Sequence, residues 1–447
     1  MKYRILILSQ ACALLVLISP LPQAAQTTAD PQLVAEIAKI KAIDNHAHPL
    51  RFVPEGDKPD DEFDALPLEG LAPFALPPRL NPANPEYIGA WRALFGYEHN
   101  DMGEAHLKEL LSAKQRAMRE HGDGYPAWVL DQVGIQTMLA NRVAMGRGLT
   151  APRYRWVSFV DAPMLPFNSK ASRRSNPDDR VFYAGEEKLL KRYLAESKVA
   201  ALPATLGFYL KSVVTATLER QKRDGAIAAK FEAAYLRSLD FDDPREGEAR
   251  TIYAKYARGG APSAAEYKVL QDYLFRYIAR ECGRLGMAVH IHAIDGAGSF
   301  YRLGGSNPLL LEPAFNDPEL RKTNFVIVHG GYPFTKHTAS LMSKSNVYAD
   351  FSAQTFMLYP RALSEVLRNW LEFYPEKVLF GSDAFALTPE VGWEEGAWLG
   401  TETARQALAL ALTGMMSDGE ITRDRAMELA RMVMRENAEK LYNLKSK

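Results

Sequence analysis

Between residues 42 and 382 the chain alternates short apolar runs with longer amphipathic stretches. Eight of these runs predict strands, at about 42–48, 135–141, 154–161, 226–231, 287–293, 324–329, 347–351 and 377–382. Most are unbroken rather than alternating, the signature of strands buried on both faces of a parallel sheet. The stretches between them predict helices, among them 264–285, with Ser263 as N-cap, and 364–373. Regular strand–helix alternation argues for a parallel sheet, and eight repeats favour a closed (β/α)8 TIM-like barrel. An open doubly wound sheet is the competing fold. No G-x-G-x-x-G follows the first run, which counts against a dinucleotide-binding version.

Two connections are far longer than usual and predict insertions, largely helical, after strands 1 and 3. The first, about 50–130, is rich in proline, glycine and aromatics; the second, about 162–225, carries predicted helices at 186–196 and 206–224. Both leave from the strand ends at which barrel enzymes carry their chemistry, so both are expected to cover a pocket. A last amphipathic helix over 423–444, with Ala426, Leu429, Val433, Ala438 and Leu441 on one face, is expected to close the barrel.

The 447 residues suffice for one such barrel with insertions, and 47% hydrophobic with 24% charged residues fits a globular chain. Lys+Arg and Asp+Glu are equal at 54 each, so no strong field favours nucleic acid or an anionic membrane. Residues 1–25 read as a signal peptide: Lys2 and Arg4, an apolar stretch, then a small-residue end. The expectation is an exported, periplasmic or secreted protein whose barrel occupies 26–447, without stable membrane insertion; an uncleaved anchor is the alternative. Only Cys12 and Cys282 are present, so no internal disulfide is expected once the signal is removed, and Cys282 reads as a small buried hydrophobe.

The chemistry sits at the ends of the predicted strands. His46 and His48 lie in I-D-N-H-A-H-P, His292 in A-V-H-I-H-A, His329 in F-V-I-V-H-G-G and Asp383 in V-L-F-G-S-D-A. Residues two apart on a strand project the same way, about 6.6 Å apart, so two imidazoles can converge on one ion. Neutral imidazoles and a carboxylate are ligands for zinc and similar divalent cations. His290 shares a face with His292, so either could serve the fifth strand, the other lining the pocket. His99, His106, His121 and His337 fall in helical or loop stretches and read as surface residues.

This set resembles the amidohydrolase superfamily, in its amidohydrolase-related branch, and is similar to the hydrolase half of plant nodulin/glutamine-synthetase-like fusion proteins. The stretches that carry the resemblance are I-D-N-H-A-H-P (43–49), H-I-H-A-I-D-G (290–296), R-L-G-G-S-N-P (302–308), V-H-G-G-Y-P-F (328–334), L-F-G-S-D-A (379–384) and the closing E-N-A-E-K-L-Y (436–442). It implies a distorted (β/α)8 barrel with metal at the C-terminal ends of its strands. By position, His46 and His48 match the first-strand ligands, His292 the fifth-strand ligand, His329 the sixth-strand histidine and Asp383 the eighth-strand acid. Lys230, in A-I-A-A-K-F-E, occupies the place of the fourth-strand lysine that many relatives carboxylate to bridge two ions; here it either bridges or contacts substrate.

The resulting expectation is a metal-dependent hydrolase of an amide or related C–N bond, with Asp383 as general acid/base and His329 beside it. The cofactor is one or two divalent ions, zinc first and manganese second. Arg302 and Arg142 are candidate clamps for a carboxylate-bearing small substrate, with Asp295 and Trp156 as weaker pocket candidates; a homo-oligomer is compatible with the sequence. The rivals are a zinc-dependent nonoxidative decarboxylase on the same barrel and a non-catalytic binding barrel.

Overall fold

A computed structural model describes residues 28–54, 56–66, 76–175, 178, 180–294 and 301–444. The signal predicted at 1–25 lies outside them. Eight parallel strands follow one another in chain order: β1 (Ala42–Ala47), β2 (Ile135–Arg142), β3 (Tyr154–Phe159), β4 (Ala226–Phe231), β5 (Ala288–His292), β6 (Phe325–Val328), β7 (Val347–Asp350) and β8 (Val378–Leu379). Each falls within two residues of its predicted start. Three backbone bonds close the ring: the amides of Asn45, His48 and Asp383 donate to the carbonyls of Phe380, Ala384 and His46 at 2.8, 2.8 and 2.7 Å. The fold is therefore a (β/α)8 barrel, as the alternation predicts.

Strand β8 is shorter than its apolar run because a helix replaces its ladder partner. The Phe380 amide donates to the carbonyl of Val433, 3.2 Å away. That carbonyl is free because the final helix is interrupted, running Arg423–Arg431, then a π turn Met432–Glu436, then Asn437–Tyr442. A π turn releases a carbonyl from the i→i−4 ladder. The continuous helix expected over 423–444 is corrected in this respect, and so is the one expected over 206–224, which carries a π turn at Leu210–Thr215. The interrupted end still closes the barrel. Ala438 and Tyr442 pack into the cluster formed by Ile43, Leu139, Val157, Ala228, Ala288, Val326 and Leu379, which plugs the barrel interior.

Helix Ala264–Arg284 begins as expected, Ser263 and Glu266 capping each other's backbone amides. The 25-residue helix Trp393–Ser417 is the element the apolar periodicity does not bring out. Alanine, leucine and threonine occupy most of its faces, and most of its residues are buried, so it shows no clean stripe. It carries the first insertion: helices Glu86–Phe95 and Tyr125–Val133 lie on it, and Glu104–His121 packs against those two and reaches it through Lys114. Two buried cations pin that packing. Arg79 donates to both Glu86 oxygens (2.8 and 2.7 Å), to the Thr355 carbonyl and to the Thr403 hydroxyl (2.9 Å each). Lys114 meets both oxygens of Glu395 at 3.0 and 2.9 Å, with side chains 5% and 0% exposed.

Removing one partner of a buried ion pair strands the other charge in low dielectric. Lys114→Met is expected to lower the free energy of unfolding by ~3 kcal/mol in chemical denaturation. Lys114→Met with Glu395→Met should regain most of that loss, and a double variant no better than the single one would refute the assignment.

Candidate metal centre

Strands β1 and the chain after β8 present the first half of the site. His46 and His48 point into the same space, their ring centroids 5.2 Å apart and their planes at 86°. Nε2 of His46 lies 3.2 Å from Asp383 Oδ1, and Nε2 of His48 lies 3.7 Å from the same oxygen. Those separations match the ~3.3 Å expected between donors sharing one tetrahedral ion at bonds of about 2.0–2.1 Å. Asp44, two residues upstream of His46, accepts from the Ser382 amide at 2.9 Å and from the Ser382 hydroxyl, a further tie between β1 and the segment after β8.

The second half comes from β5 and the turn after β6. Nδ1 of His292 lies 3.1 Å from Nε2 of His329, and the His329 ring stands 5.0 Å from that of His46. His329 and Asp383 both adopt left-handed backbone, with φ of 63° and 57°. Such a conformation costs a non-glycine residue about 1–3 kcal/mol and persists where the surroundings over-determine it. After His329 the glycines are required: a Cβ on Gly330 would sit 2.3 Å from Trp370, and one on Gly331 2.5 Å from Pro308. The H-G-G and S-N-P motifs therefore fit against each other.

Lys230, wholly buried on β4, places Nζ 3.4 Å from His46 Nε2 and 3.7 Å from Glu232 Oε1. Two further acids join here that the sequence reading does not single out. Asp64, from the first insertion, brings Oδ2 within 3.1 Å of His48 Nδ1, without hydrogen-bond alignment. With Glu232 and His48 it forms a second group of mutually close donors beside that of His46, His48 and Asp383. Glu232 was accessible to inspection, since it follows Lys230 by two on one strand face; Asp64 lies in a stretch with no periodicity to mark it.

Burial sets the electrostatics. It holds His46, His292 and His329 well below the ordinary imidazole pKa, and Lys230 adds to the effect for all three. These rings are neutral, as ligation requires. Burial also pushes Asp383 up to about 7, against the opposing pull of His48 and Lys230. Glu232 is raised by burial and by Asp64.

The remaining candidates fall outside this cluster. His290 is buried, 2.7 Å from the Tyr442 hydroxyl at Nε2. Arg142 is buried but fully committed, donating to Asp60 at 3.0 and 2.8 Å and to the carbonyls of Pro49 (2.7 Å) and Ala144 (2.9 Å). Its expected role as a substrate clamp is corrected: its donors are spent holding the first insertion. Arg302 is exposed. The Trp156 indole donates to the Arg142 carbonyl at 2.9 Å, and Asp295 lies outside the described residues. Cys282 is fully buried and unpaired.

With this geometry in place, comparison defines the class. The family model described as Amidohydrolase matches residues 177–444. The chain belongs to the amidohydrolase family. Protein fluG of Emericella nidulans is 25% identical over 229 residues, which are 49% of this chain and 26% of that protein. The match thus spans about a quarter of the curated relative's length. Among solved structures, glucuronate isomerase from Caulobacter crescentus superposes with a TM-score of 0.63 at 13% identity, covering 95% of this chain and 97% of that one. A Lactobacillus casei ATCC 334 protein, described provisionally as a metal-dependent hydrolase, gives 0.59 at 15% identity over 94% and 100%. At such identities the likeness is one of fold.

The residues fit a divalent cation. Nε2 of His46 and of His48 approach one oxygen of Asp383, Nε2 of His292 is a buried ring nitrogen without a hydrogen-bond partner, and the donor set is the imidazole–carboxylate mixture that zinc and manganese accept. Protein stripped by chelator and dialysed against zinc is expected to regain at least one equivalent. His46→Ala should weaken that binding more than about 100-fold, since outer-shell changes alone cost 10–100-fold. Equal affinity in the two proteins would place the ion elsewhere.

Proposed function

We propose that the protein is a divalent-metal-dependent hydrolase that cleaves an amide or related C–N bond in a small molecule. The observation that carries the reading is the convergence on Asp383: a carboxylate on left-handed backbone, its side chain 14% exposed, with one oxygen within 3.2 Å of His46 Nε2 and 3.7 Å of His48 Nε2.

His46, His48 and Asp383 would hold one ion, with His292 and His329 beside it and Lys230 between the two groups. Zinc is the expected metal and manganese the second choice. When bound, such an ion acidifies water and polarises a carbonyl. Asp383 accepts the proton of the attacking water through one carboxylate oxygen and returns it to the departing nitrogen. His329, with Nδ1 3.8 Å from the other oxygen of Asp383, stays neutral beside that carboxylate. The helices of the first insertion and Trp393–Ser417 wall this space and limit water. With Arg142 engaged by Asp60, recognition of a substrate carboxylate rests on Arg302. Residues 1–25 support export to the periplasm or medium. Among the described residues no helix is long and apolar enough to cross a membrane.

Asp383→Asn, assayed with zinc in excess because the ion loses one of its ligands, is expected to lower kcat by about 10³ while folding stays near wild type. Full activity in that variant would remove Asp383 from the mechanism. Screening dipeptides, γ-glutamyl amides, N-acyl amino acids and lactones, with amine and carbon dioxide both assayed, separates hydrolysis from the decarboxylase alternative.

A further inference from the structure

The closing motif E-N-A-E-K-L-Y ends on Tyr442, which takes no part in the chemistry above. Its hydroxyl is nevertheless linked to the metal centre through an unbroken series of buried side chains. Tyr442 donates to Oδ1 of Asn45, and Nδ2 of Asn45 donates to Oδ2 of Asp350 at 2.7 Å. Oδ1 of Asp350 accepts the His329 amide at 2.9 Å, the Ser352 amide at 3.1 Å and the Ser352 hydroxyl. Oγ of Ser352 lies 2.9 Å from Nδ1 of His329. Asn45, Asp350, Ser352 and His290 are 0% exposed, His329 2% and Tyr442 9%.

The direction of every proton in this series follows once Asp350 is ionised. Two backbone amides, which can only donate, fix its Oδ1 as an acceptor, and with the bonds from Ser352 and Asn45 they oppose the burial that raises its carboxyl. The Ser352 hydroxyl gives its one proton to Asp350, so Oγ can only accept from His329 Nδ1–H. The amide of Asn45 turns its nitrogen to Asp350, which leaves its oxygen for Tyr442. The Tyr442 proton is then spent, and the phenol oxygen accepts from His290 Nε2–H, 2.7 Å away. The consequence reaches the metal centre: with Nδ1 protonated, His329 Nε2 keeps its lone pair, and that nitrogen is the one 3.1 Å from His292 Nδ1.

We propose that Asp350 and Ser352 are positioning residues that lock His329 in the Nδ1–H tautomer with Nε2 free for the ion, and that Asn45 and Tyr442 anchor the pair from the final helix. The inference rests on the reading that His329 faces a metal. Its test requires no turnover, so it fails or stands separately from the hydrolase assignment.

The experiment uses the full chain with ¹⁵N-labelled histidine. Ring nitrogen shifts report the tautomers in metal-free protein, and chelator competition reports zinc affinity. In the wild type His329 should show Nδ1 protonated and Nε2 bare. Ser352→Ala should mix the two tautomers of His329 and weaken zinc about tenfold or more. Tyr442→Phe retains the ring packing; it should free the His290 tautomer and weaken zinc less than Ser352→Ala does. A single unchanged His329 tautomer in Ser352→Ala, or mixed tautomers with wild-type zinc affinity, overturns the proposal. Should Ser352→Ala not fold, Ser352→Gly carries the same expectation, because it too removes the hydroxyl that accepts from His329 Nδ1–H. A wild-type chain that binds no zinc sinks the hydrolase reading, and the tautomer comparison still decides this one.

Discussion

The site depends on the seam where the first strand meets the segment after the last. Three backbone bonds cross it, and one of them, from the Asp383 amide to the His46 carbonyl, joins two of the residues that converge on the same point. Because side chains alternate faces along a strand, a slip of one residue would send His46 and His48 into the sheet's far side. Asp44 opposes that slip by gripping the amide and hydroxyl of Ser382. Barrel closure and assembly of the donor set are therefore a single event. The other strands need only hold their order for His292, His329 and Lys230 to arrive.

Much of this was legible because the strands of a closed barrel are buried on both faces and so appear as unbroken apolar runs. The segments around His46, His292, His329 and Asp383 were doubly marked, by hydrophobicity and by turn residues just after. Less legible was whatever depends on packing between distant segments. Helix Trp393–Ser417 is buried on too many sides to show a stripe. The π turn at Met432–Glu436 exists to give Phe380 a carbonyl, a need visible only once β8 is in place. Arg142 looked free in sequence because Asp60, its partner, sits in an insertion without periodicity. Asp64 escaped notice for the same reason.

The barrel and the first insertion divide the labour of the molecule. Strands and final helix fix the donor atoms; the first insertion, held by Arg79 and Lys114 to elements beyond β7 and β8, forms the wall around them. Among the described residues of that wall, Asp64 reaches the metal centre through His48, and Leu80 and Tyr87 line the space beside Asp383. Change in the insertion can thus alter what enters and, through Asp64, the floor as well.

The left-handed backbone at Asp383 and His329 has a broader implication. At both positions glycine would fold more comfortably, since it meets no steric penalty there. Glycine at either place would relax the turn and remove a donor from the site, so at these two points the molecule gives up stability to keep its chemistry.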